Sequence, residues 1–163
     1  MGSDAKITVY TKRKLGRTNK DRFVPVMSSH YDDIGGPLLA HFLGAYPHPE
    51  REWDPYEINE ITLDEIQAYF KASRIIVKMQ DSIIPSGDFL DDFNFDNEEH
   101  KKLFDKICEL FYVTDGNTKD YLKAMPYKLE CIKYDLPFFE ELLYQASIQE
   151  TKGEEIYITL EYY

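Results

Sequence analysis

Four histidines (His30, His41, His48 and His100) and the adjacent acids Asp32 and Asp33 are the groups in this 163-residue chain best suited to metal or acid–base chemistry. Imidazoles and carboxylates together bind zinc, and an open coordination position activates water. Their spacing is loose, however, and no pair forms the His-Glu-x-x-His arrangement that puts two ligands on one helix face. A small metal-dependent hydrolase built on His30, Asp32, His41 and His48, with Asp33 beside them, is therefore the alternative function. The simpler account puts His41 on a short half-buried helix and His48 in a proline-bounded loop.

Asp92-Phe93-Asn94-Phe95-Asp96 has the alternating oxygen side chains that open a calcium loop. Such a loop needs Gly at its sixth position and Glu at its twelfth. Asn97 and Leu103 stand there instead, so the match fails where the geometry is strictest. The Gly-x-Ser-x-Gly, Gly-x-x-x-x-Gly-Lys and Gly-x-Gly-x-x-Gly patterns are absent. Gly35-Gly36-Pro37 could expose backbone N–H groups to an anion, but Asp32 and Asp33 just before it would repel phosphate. Glu140-Glu141 and Glu154-Glu155 are sequence neighbours and read as solvated surface. The expectation is a chain with no catalytic residues, no cofactor and no metal.

Charge is the most informative feature. The chain carries −11 overall, with 30 acidic and 19 basic residues. Residues 1–30 hold seven Lys/Arg against Asp4 and Asp21, a local +5, which leaves −16 for residues 31–163. From Asp81 to His100 there are seven acids and no Lys or Arg, and seven more acids from Glu50 to Glu65 meet only Arg51. An acidic body repels nucleic acid and anionic lipid and attracts basic proteins. In charge character the chain resembles the small acidic proteins that phages and mobile elements direct against host nucleases, anti-CRISPR proteins among them. It also resembles the immunity proteins of nuclease toxins.

The resulting expectation is a non-enzymatic inhibitor. It would cover a basic, nucleic-acid-binding surface of a partner by charge and bulk. The expected partner-binding residues are Asp88, Asp91, Asp92, Phe93, Phe95, Asp96, Glu98 and Glu99, with Phe89, Phe93 and Phe95 as aromatic anchors. A second candidate contact is the basic group Lys12, Arg13, Lys14 and Arg17, which could touch a nucleic-acid backbone or the partner. Charge that protects an edge strand is its simpler reading. Tyr10 and Phe23 nearby could stack on bases or fill a hairpin core. A scaffold subunit that assembles through its C-terminal strand is a third reading.

Those groups need elements to hold them. Length and a 43% hydrophobic content suit one compact domain spanning 1–163. Residues 1–5, opening on Met1-Gly2-Ser3, read as an expression remnant or a disordered start. Lys6–Thr11 and Arg22–Met27 predict a β-hairpin with the basic group at its tip, Pro25 marking an edge strand or bulge. Short helices are expected at 38–43 and 117–125. Thr62-Leu63-Asp64-Glu65 is a capping box that starts a helix to about Ser73. The β-branched run at 74–79 predicts a strand, and 127–134 reads as strand or helix.

Asp96 or Asn97 caps a helix to Val113, Pro137 opens another, and 155–162 alternates as a closing strand. The fold class is α+β: an antiparallel sheet, with the N-terminal hairpin and C-terminal strand, under four to five helices. Cys108 among apolar neighbours reads as a small buried hydrophobe. Two cysteines with no disulfide framework, no acceptor for N-glycosylation and no membrane-length apolar run point to a cytoplasmic protein.

Overall fold

The computed structural model describes residues 5–15, 20–29, 42, 59–86, 92–111 and 126–162. In chain order these form β1 (Ala5–Leu15), β2 (Lys20–Ser28), β3 (Asn59–Ile61), α1 (Leu63–Ile83), α2 (Glu98–Phe111), α3 (Pro126–Thr151) and β4 (Glu155–Tyr162). The four strands make one antiparallel sheet in the order β2-β1-β4-β3. The architecture is α+β.

The hairpin forms as its pattern predicts. The register runs from Leu15↔Lys20 to Tyr10↔Pro25, then shifts so that Val9 faces Met27. One residue of β2, Val26, is thereby extra, as in a β-bulge. Pro25 has no N–H for a ladder, and it sits where that costs least: on an edge strand, beside the bulge. β1 begins at Ala5, paired with Tyr162, so residue 5 belongs to the sheet.

Alternation then divides the sheet into two faces. Ile7, Val9 and Thr11 of β1 and Ile158 and Leu160 of β4 are buried, with Ile61 of β3. α3 crosses β4, β1 and β2, α1 packs on α3, and α2 packs on α1. Each helix supplies an apolar stripe: Ile66, Tyr69, Ser73, Ile76 and Val77 from α1, and Leu103, Ile107 and Phe111 from α2. Tyr69 lies at the centre, its ring 5.4 Å from Phe42, 5.6 Å from Phe111 and 5.2 Å from Phe139.

Three expectations need correction. The strand expected at 74–79 is helix, because α1 continues to Ile83. Ile76 and Val77 fall on the stripe begun by Ile66 and Tyr69, and burying them there outweighs the strand preference of β-branched side chains. Pro137 does not open a helix but lies inside α3. The stripe Ile132, Asp135, Phe139, Leu142, Ala146, Gln149 is buried on both sides of it. One long helix therefore takes in 127–134 as well. The described residues hold three helices rather than four to five. The short helices expected at 38–43 and 117–125 lie outside the described residues, apart from Phe42.

The capping box is present as expected. Glu65 N–H donates to Thr62 Oγ1 at 3.2 Å, while Glu65 Oε1 accepts from Thr62 N–H and from its hydroxyl, both at 2.9 Å. Among the described residues no helix is long and apolar enough to cross a membrane.

Candidate functional site

The acidic segment is built around the start of α2. Asn97 is the cap: its Oδ1 accepts from Glu99 N–H at 2.9 Å and His100 N–H at 3.4 Å. Asn94 Oδ1 accepts from Asp96 N–H at 2.9 Å, and His100 Nδ1 accepts from Asn94 N–H at 2.8 Å. The asparagines of the apparent calcium loop are thus occupied in turning the chain into the helix. Asp92 accepts a hydrogen bond from the Ser86 hydroxyl.

Phe93 and Phe95 are half-buried and act from beneath this turn. Their rings meet edge-on at 4.6 Å, Phe93 stacks on His100 at 5.6 Å, and Phe95 meets Phe104 of α2 at 5.2 Å. Phe93 packs against the core cluster directly, and Phe95 does so through Phe104. Asp92, Asp96, Glu98 and Glu99 are exposed above them. Among the described residues none of these four carboxylates has a cationic side chain within ion-pair distance. Glu98 and Glu99 lie in the first turn, where negative charge favours the helix. The result is a ridge of four exposed carboxylates on a backbone turn with an aromatic footing. Asp88, Phe89 and Asp91 lie outside the described residues.

The second candidate group sits on the opposite kind of surface. Tyr10, Lys12, Phe23 and Tyr157 share the face of the sheet turned away from the helices: Tyr10 pairs with Tyr157, and Lys12 pairs with Phe23 and Glu155. The three rings cluster, with centroids at 5.0 Å (Phe23–Tyr157), 6.1 Å (Tyr10–Tyr157) and 6.5 Å (Tyr10–Phe23). Phe23 is 46% exposed and Tyr10 and Tyr157 are half-buried, so the cluster opens to the surface at Phe23. Lys12 Nζ lies 3.8 Å from Glu155 Oε2. Arg13 and Lys14 continue β1 towards the hairpin end, and Arg17 lies outside the described residues.

Sequence reasoning missed a third feature. Lys71, Arg74 and Lys78 stand at i, i+3 and i+7 along α1 and line a shallow groove with Phe70 and Ile75, of about 250 Å³. Arg74 lies over the Phe70 ring at 5.6 Å. The helical spacing of these three cations was the available signal, hidden by the expectation of a strand at 74–79.

Comparison with family models, curated proteins and solved structures finds no match.

No group of three His, Cys, Asp or Glu side chains among the described residues could hold a metal ion. His30, Asp32, Asp33, His41 and His48 lie outside them. Cys108 is half-buried against the core, and its thiol pKa is raised above the ordinary value, first by burial and then by the nearby Asp105 carboxylate.

Proposed function

We propose that this chain is a non-enzymatic acidic binding protein that occludes a basic, nucleic-acid-binding surface of a partner protein. The ridge Asp92, Asp96, Glu98 and Glu99 carries the reading. Asn94, Asn97 and His100 hold the backbone that carries its four exposed carboxylates, which have no cationic partners among the described residues. Carboxylates carried on a backbone already in place cost less ordering on docking than carboxylates on a loose segment. A single-sign surface also speeds approach to a basic groove. Phe93 and Phe95 serve this reading as supports and not as inserted anchors. The inhibitors of nucleases and the immunity proteins that the composition resembles act in this manner, by steric and electrostatic exclusion without turnover.

The test is capture by the immobilised chain from nuclease-treated lysate, run beside a variant with Asp92→Asn, Asp96→Asn, Glu98→Gln and Glu99→Gln. The expected partner is basic, is retained at low salt, and is displaced by added DNA or RNA. Neutralising the ridge should slow association with it by roughly tenfold or more. Equal retention by both chains, or a partner indifferent to nucleic acid, would refute the reading.

A further inference from the structure

The acid ridge leaves the sheet's outer face unexplained. The sheet face turned away from the helices carries Lys6, Thr8, Thr159 and Glu161 towards the Ala5 end of β1. At one end it instead carries three aromatic rings, with Phe23 46% exposed. Thr8 and Thr159 on the same face are buried, so the opening is confined to the aromatic end. None of the rings stacks parallel on another, the interplanar angles being 82°, 49° and 44°.

Beside this cluster the chain is basic. Residues 12–22 hold Lys12, Arg13, Lys14, Arg17, Lys20 and Arg22 against Asp21 alone. The register sets Arg13 directly opposite Arg22. Protection of an edge strand requires only one or two charges. It does not require a cluster of three aromatic rings drawn from three strands.

We infer that this face is a binding platform for single-stranded nucleic acid, with bases stacked on Tyr10, Phe23 and Tyr157 and phosphates held by the β1–β2 hairpin. Aromatic rings beside a basic track are the usual means of holding single strands, because every base offers a π-face. The ring spacing of 5.0–6.5 Å suits splayed bases rather than the rise of about 3.4 Å in a duplex. Stacking and charge do not read the sugar, so DNA and RNA strands are one ligand chemistry here. The −16 body opposes binding, but salt near 0.1 M limits that repulsion to roughly 10 Å. Affinity is accordingly modest, between about 1 and 100 µM. The inference does not rest on the acid ridge, and the variants below leave the ridge intact.

The experiment is fluorescence anisotropy of fluorescein-labelled oligothymidine and oligouridine of about 12 nucleotides, and of a duplex of that length, with the full chain. Both single strands should bind, and the duplex about tenfold more weakly. Phe23→Ala and Tyr157→Ala should each lose roughly tenfold. Lys14→Glu should weaken binding and flatten its salt dependence. Glu155→Gln should strengthen binding a few-fold, because it removes the carboxylate 3.8 Å from Lys12. A merely structural Glu155 would not give that gain. Circular dichroism confirms that each variant is folded. Absence of binding by either strand at 100 µM or below, equal binding of the duplex, or Glu155→Gln weaker than the parent would overturn the inference. So would a concentration-dependent dimer abolished by Phe23→Ala, which would assign the face to a second copy of the chain.

Discussion

Pro137→Ala is expected to stabilise the protein. Pro137 lies 11 residues into the 26-residue α3, where a proline cannot donate to the carbonyl of Lys133 and its ring crowds that group. A proline in a helix interior costs about 3 kcal/mol relative to alanine. The pyrrolidine is exposed, so truncation removes no core packing. Two terms reduce the gain. The alanine chain has more freedom when unfolded, worth about 0.4–1 kcal/mol. The helix has also already adapted to the ring, and Phe138 and Phe139 are packed on the core in that adapted position. The net gain is about 1–2 kcal/mol, or roughly 2–8 °C in Tm for a chain of this length. Urea unfolding followed by circular dichroism measures it, with the midpoint rising and the slope unchanged. A midpoint that stays or falls would refute the view of α3 as one helix strained at Pro137. It would favour two helices that need the proline at their junction.

Thr62→Ala removes the acceptor for Glu65 N–H and should cost about 1 kcal/mol of unfolding free energy in the same assay. Tyr69→Ala empties the site where rings of three other segments meet, and should cost about 3–5 kcal/mol, enough to lower the calorimetric Tm sharply. Cys108 should alkylate more slowly than glutathione at pH 8, as read by peptide mass spectrometry, and catch up only at higher pH. The sign of its linkage follows from the raised pKa. The stability it contributes is full below the ordinary thiol value of 9.0 and is lost as pH rises through the higher folded value.

Where local chemistry and tertiary packing agree, the elements were legible. Thr62 and Glu65 announce a helix start because two side chains satisfy two orphan backbone donors within four residues. Pro25 announces an edge because no interior strand tolerates it. The alternation of Ile156, Ile158 and Leu160 can be buried in only one way. The run Arg74–Met79 was misread because three β-branched residues speak locally for a strand, while the spacing from Ile66 to Val77 is visible only when the helix is carried past Ser73. The site followed the same rule. The exposure of Asp92, Asp96, Glu98 and Glu99 agrees with their charge, whereas the half-buried placement of Phe93 and Phe95 depends on His100 in the first turn of α2 and Phe104 in the second.

The pairing of Ala5 with Tyr162 also constrains how the molecule is made. β1 leaves a ribosome long before β4, yet they are neighbours in the middle of the sheet. Until β4 arrives, the hairpin of β1 and β2 is a two-stranded ribbon with an unpaired flank, and such ribbons are marginal in water. The flank of β1 that β4 will pair must therefore wait until β4 is made. Closing so long a loop is slow, and the waiting strand is open to wrong pairings. The same adjacency offers a remedy. A short linker from the end of β4 to the start of β1, with new ends cut between α2 and α3, would let these two strands emerge together and pair at once.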